Sequence, residues 1–111
     1  VRLEVCQGRN LAAADRGGTS DPFVRIYSEH QLWGQTATCK ATVNPEWRDE
    51  VFEFPVRSVS TAQLRLEVWD WDLLGENDFL GQVTLSVADL LQFALAAGRV
   101  DLSDTSPAAP A

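Results

Sequence analysis

The run from Leu64 to Trp69 alternates strictly, with Leu64, Leu66 and Val68 apolar and Arg65 and Glu67 charged between them. Successive side chains of an extended chain point to opposite faces, so this pattern buries one face of a strand and leaves the other outside. The same period recurs at Val1, Leu3 and Val5, and again over residues 50–56, where Pro55 marks a strand edge or end. Runs of β-formers at 23–27 and 79–85, a weaker Thr-rich run at 32–40 and a short one at 99–102 complete the series. Short strands separated by turn residues predict an all-β sandwich or barrel. One segment breaks the period. Ser86 stands as an N-cap three residues before Asp89, and the apolar residues Leu90, Leu91, Phe93 and Leu95 follow, which predicts a short helix over 87–97 ended by Gly98.

A chain of 111 residues has room for one domain with one core. Its 45% hydrophobic content argues against intrinsic disorder, and no run reaches the roughly 18 apolar residues of a membrane-spanning helix. Residues 1–103 read as the domain and 104–111, rich in Pro, Ala and Ser, as a linker or tail. The chain opens directly on a strand with no leader-like segment, as a domain excised from a longer protein would. Sixteen acids against nine bases give a net charge of −7, which disfavours nucleic acid as a partner. Cys6 and Cys39 are too few for a disulfide framework and read as reduced thiols, although the spacing alone leaves one bridge open.

The placement of the acids carries more than their number. Five aspartates fall in two segments read as loops: Asp15 and Asp21 in the first, Asp70, Asp72 and Asp78 in the second, directly after the strongest strand. Alternation in extended chain would point Asp70 and Asp72 the same way with Trp71 between them. Any one aspartate in a loop is ordinarily just solvated, and Asp favours turns on its own account. If the two loops meet at one end of a sandwich, however, like charges about 4 Å apart repel by about 1 kcal/mol in water and about 4 kcal/mol at an effective dielectric of 20. Such a cluster is tolerable only with a counter-cation or with raised pKa values. Hard oxygen donors without His or Cys favour Ca²⁺ or Mg²⁺, and flexible loops offering many oxygens suit Ca²⁺ better.

Three ordered motifs resemble the C2 domain family. The first runs from Asn10 to Val24 through Asp15, Gly17, Gly18, Thr19, Ser20, Asp21, Pro22 and Phe23, and matches the family's first calcium loop and the strand after it. The second is Asn44-Pro45-Glu46-Trp47, leading into the aromatic strand of Phe52 and Phe54. The third is Val68-Trp69-Asp70-Trp71-Asp72 with Asp78-Phe79-Leu80-Gly81. The resemblance covers residues 1–103. It implies an antiparallel Greek-key β-sandwich of seven to eight strands with one helix. It implies too that Asp15, Asp21, Asp70, Asp72 and Asp78 hold calcium, two ions in all, with backbone carbonyls at Ala14 and Trp71 assisting.

By the same resemblance the domain binds anionic phospholipid such as phosphatidylserine in a calcium-dependent way, recruiting a cytoplasmic host protein peripherally to membranes. Arg16, Leu73 and Leu74, at the loop tips, are the expected membrane contacts. The alternative is a calcium-independent protein-binding module of the same fold, using its sheet face. No nucleophile–base constellation can be assembled around His30, the single histidine, so the domain is not read as an enzyme. The sequence also departs from the family. Gly75 stands where a hydroxyl is often found in the third loop, and Asp49 stands where an Asn usually follows the Trp motif, a change expected to be structural only. The region from Ser28 to Lys40 holds a single lysine rather than the family's lysine-rich strand. Seven strands are read where the family has eight. Trp47, Trp69, Phe52 and Phe54 are assigned to the core, Trp71 to the neighbourhood of the loops, Trp33 to an exposed partner surface and His30 to the surface.

Overall fold

A computed structural model describes residues 1–13 and 18–94, the last four of these by backbone alone. The strand formed by the alternating run is the centre of the fold. Strands β1 (Arg2–Glu4), β2 (Pro22–Ser28), β3 (Gln31–Gln35), β4 (Val51–Glu53), β5 (Gln63–Asp70) and β6 (Asp78–Ser86) are followed by helix α1 (Val87–Ala94). Every pairing is antiparallel, in a four-stranded sheet of order β3-β2-β5-β6 and a two-stranded sheet β1-β4. Six strands are thus present among the described residues; the expected strand at 99–102, the end of the helix beyond Ala94 and Gly98 lie outside them.

The two sheets bury their apolar sets against each other. Val24 and Ile26 of β2 and Leu64, Leu66 and Val68 of β5 are fully buried, and Leu3 and Val5 reach them from the β1 side, with Trp47 and Phe54. Gly34 of β3 marks a close approach of the two sheets. A Cβ built there would stand 2.7 Å from Cδ1 of Phe52 on β4, nearer than packed carbons approach, so only glycine lets the sheets meet at this point. Gly34→Ala should therefore cost about 1–3 kcal/mol by overpacking, read as a lowered urea midpoint with unchanged slope; an unchanged midpoint would mean that the Phe52 ring swings aside freely.

Helix α1 begins where the sequence predicts. The Asp89 amide donates to Oγ of Ser86 (3.3 Å), and Val87, fully buried, ties its own amide to the carbonyl of Ala62 (3.0 Å). The weak run at 32–40 ends as a strand at Gln35. Beyond it the Thr36 hydroxyl takes the Val24 amide at 2.9 Å, while the Thr36 amide returns to the Val24 carbonyl at 2.9 Å, so a side chain replaces the regular ladder. Asp49 lies at φ 58, a left-handed conformation that Asp and Asn tolerate better than most residues, in keeping with the structural role expected of it. Both cysteines are free thiols, and burial pushes that of Cys39 above its ordinary range.

The outer face of the four-stranded sheet corrects one assignment. Trp69 is only half-buried and lies outside the core, edge-on to Phe79 at 5.4 Å, with the Arg25 guanidinium 5.1 Å from its ring centre and 5.3 Å from that of Phe23. Its parity along β5 is that of Arg65 and Glu67, not that of Leu66 and Val68. The Glu67 side chain is 2% exposed; one oxygen accepts the Trp69 indole N–H (3.1 Å) and the other lies 2.9 Å from Nε of Arg65, which stacks over Tyr27 at 4.6 Å. Trp33 is half-buried and stacks on Phe54 at 6.1 Å, so it joins the core margin instead of standing free. His30 is exposed, as expected.

Candidate metal centre

The strand register brings three of the five aspartates to one end of the sheet. Pro22, next to Asp21, pairs with Asp70, and Asp70 pairs directly with Asp78. Directly opposed residues hold their Cβ atoms roughly 5 Å apart, and like charges so placed are destabilising. Asp70 is the last residue of β5 and Asp78 the first of β6, so these two sit on strand ends where loops were expected. The distinction matters because a ladder holds the backbone there, Asp70 between β2 and β6 and Asp78 against β5. Asp72 belongs to the loop between them. Asp15, Ala14 and Arg16 lie outside the described residues.

Backbone amides aim each of the central carboxylates. The Asp21 amide donates to Oδ1 of Asp70 at 2.7 Å, and the Ala41 amide donates to Oδ1 of Asp21 at 2.6 Å. The Leu74 amide donates to Oδ1 of Asp72 at 2.9 Å. A carboxylate offers about four acceptor sites, and an amide bond to one oxygen helps to fix its direction. Asp70 is almost wholly buried and Asp72 is exposed. The alternation expected of this pair does not carry past the strand: Asp70 shares the inward parity of Leu64, Leu66 and Val68, and β5 stops there. The Trp71 amide donates to the Asp21 carbonyl at 3.0 Å, closing the second aspartate segment onto the first.

Lys40 was not singled out in the sequence. Residues 39–42 run beside 20–22 through Cys39 amide to Pro22 carbonyl (2.9 Å) and Thr42 amide to Ser20 carbonyl (2.8 Å). That zipper sets the Lys40 ammonium 3.9 Å from the ring centre of Trp71, a cation–π contact next to the aspartates. It rests on contacts between residues far apart in sequence. Leu73 and Leu74, in the loop carrying Asp72, are 75% and 93% exposed.

Among the described residues, no three carboxylate, thiol or imidazole side chains stand close enough to form a finished metal cage. The donor set is nonetheless of one kind, hard oxygen, and its chemistry fits a divalent cation of the Ca²⁺ type better than a soft metal. No helix among the described residues is long and apolar enough to cross a membrane.

Comparison with known proteins agrees with this geometry. RasGAP-activating-like protein 1 of Mus musculus is 46% identical over 93 residues, which is 83% of this chain and 11% of that protein. Tricalbin-3 of Saccharomyces cerevisiae is 37% identical over 90 residues, 81% of this chain and 6% of that protein. The chain thus spans about a tenth or less of the curated relatives it matches. Among solved structures, a C2 domain of plant Extended Synaptotagmin 1 superposes with a TM-score of 0.72 at 30% identity, covering 79% of this chain and 68% of that one. Human GIVD cytosolic phospholipase A2 superposes at 0.71 and 27% identity, over 79% of this chain and 13% of that one. Residues 1–102 match the family of the C2 domain. With its antiparallel sheets, short helix and aspartates gathered at one end, the chain belongs to the C2 domain family.

Proposed function

We propose that this domain binds anionic phospholipid, phosphatidylserine among them, in response to Ca²⁺, and so brings a larger host protein to the membrane surface without itself being an enzyme. The observation that carries the reading is the apposition of Asp70 and Asp78 across the β5–β6 ladder, beside Asp21, at the end that also exposes Leu73 and Leu74. Asp21, Asp70, Asp72 and Asp78, with Asp15 from the first segment, would hold the metal. Bound calcium would supply positive charge and open coordination positions for lipid oxygens. Two ions would add four charges to a chain of net −7, leaving −3 and a far less repellent loop end. The host protein would be cytoplasmic and only peripherally attached.

The chain's own residues then divide the work. The amides of Asp21, Leu74 and Ala41 orient the carboxylates. Lys40, held on Trp71, contributes a fixed positive charge beside them. Leu73 and Leu74 supply apolar area, each contributing about 1.5–3 kcal/mol if buried in the acyl boundary, and Arg16 would meet a lipid phosphate. Co-sedimentation with phosphatidylserine vesicles, in calcium and then in chelator, tests the whole reading: pelleting in calcium alone supports it, and none in either condition overturns it. The double variant Leu73→Ser with Leu74→Ser should keep its calcium affinity but bind such vesicles about 100-fold more weakly or worse. Unchanged vesicle affinity would remove the leucines from the mechanism.

A further inference from the structure

The loop that carries Asp72 is closed by a residue outside every ligand assignment above. The Asp72 amide donates to Oδ1 of Asn77 at 3.0 Å, and the Leu74 amide donates in turn to Oδ1 of Asp72 at 2.9 Å. These two bonds run in series. Asn77 fixes the backbone of Asp72, and Asp72 through its carboxylate fixes the backbone of the leucine tip. Oδ2, the other oxygen of that carboxylate, lies above Gly75, where a Cβ would stand 3.4 Å away. Asn77 is half-buried, whereas residues 72–76 before it are exposed, so it is better placed than they are to hold a fixed geometry.

We infer that Asn77 is a positioning residue: it presets the Asp72–Leu74 loop before any ion arrives, so that Asp72 offers one oxygen already aimed and the leucine tip is already presented. The inference deepens the calcium reading and rests on it for the identity of the ion. An amide carbonyl suits the task. It accepts the Asp72 N–H without adding a further negative charge to a crowded acidic end, and it cannot titrate. Loss of a partner that orients a metal-binding side chain lowers metal affinity by about 10–100-fold in general, and that range is expected here.

The test compares wild type, Asn77→Ala and Asn77→Asp, the last keeping an acceptor oxygen in place. Amide hydrogen exchange of the metal-free proteins is read by NMR at Asp72 and Leu74, and calcium affinity is read by calorimetry with CaCl₂ alone. Asn77→Ala should speed exchange at both amides about tenfold and weaken calcium binding about 10–100-fold, with a urea midpoint near that of wild type. Asn77→Asp should restore slow exchange at Asp72. Exchange in Asn77→Ala equal to wild type would overturn the preset loop. Faster exchange with calcium affinity within about twofold of wild type would overturn the positioning role. A wild type that binds no calcium, yet shows the exchange response to Asn77→Ala, would sink the calcium reading while supporting the preset loop.

Discussion

Replacing Asp70 and Asp72 together by Asn will abolish calcium-dependent pelleting with phosphatidylserine vesicles and leave the domain folded. The fold survives because Asn keeps an acceptor oxygen at each position. Oδ1 at position 70 still accepts the Asp21 amide, and Oδ1 at position 72 still accepts the Leu74 amide. What disappears is charge. Calcium sites set their affinity largely through the number of charged ligands, so removing two should weaken binding at least about 100-fold. Stability in the absence of metal should hold or rise, since the repulsion between Asp70 and Asp78 across the ladder is relieved, by about 1–4 kcal/mol at 4 Å depending on how wet the site is. Calorimetry, vesicle pelleting and a urea titration read the three quantities separately. A double variant that pellets in calcium like wild type would place the ion elsewhere. If the domain instead serves a protein partner through its sheet face, the double variant will bind that partner as wild type does.

The second large effect belongs to the outer sheet face. Arg65→Ala should destabilise the domain by about 3 kcal/mol, near the low end of the cost of stranding a buried charge. The Glu67 carboxylate is 2% exposed and would keep only the Trp69 indole as a partner. The Arg65 side chain is itself 22% exposed, and water entering the space it leaves is why the low end applies. The control is the pair Arg65→Met with Glu67→Leu, which removes both charges and preserves volume. That pair should come within about 1 kcal/mol of wild type or exceed it, because a buried ion pair seldom outweighs its own desolvation. Equal destabilisation by the single and the double change would assign the effect to packing over Tyr27 instead of to charge.

Much of this arrangement can be read from the residues in order. The parity of Leu64, Leu66 and Val68 identifies β5 and its inward face, and Ser86 followed by Asp89 identifies the start of α1, because both signals are local. Size alone assigns Trp69 to the core, although its parity with Arg65 and Glu67 already places it outside. Trp33 is likewise misjudged from the string, since its contact with Phe54 joins residues far apart in sequence. The strand expected to reach residue 40 stops at Gln35 because Thr36 competes for the Val24 amide with its side chain, a choice that propensity does not distinguish.

For the candidate site, spacing identified the aspartates but not their settings. That Asp70 is a buried strand end and Asp72 an exposed loop residue follows from where the β5–β6 ladder stops, which depends on the partner strand. Lys40 and Asn77 were missed for different reasons. Lys40 reaches Trp71 only through the pairing of 39–42 with 20–22. Asn77 lies five residues from Asp72, within one loop, but a lone Asn in a turn has many roles and nothing in the string selects this one.

The tie between Asn77, Asp72 and Leu74 bears on how quickly the domain is captured and how long it stays. A loop already shaped has no folding step to complete at the bilayer, so arrival should be governed by long-range charge and departure by the leucines. Changing ionic strength should then alter the rate of association and leave dissociation little changed. Shortening Leu73 and Leu74 should shorten residence on the vesicle and leave the arrival rate almost untouched.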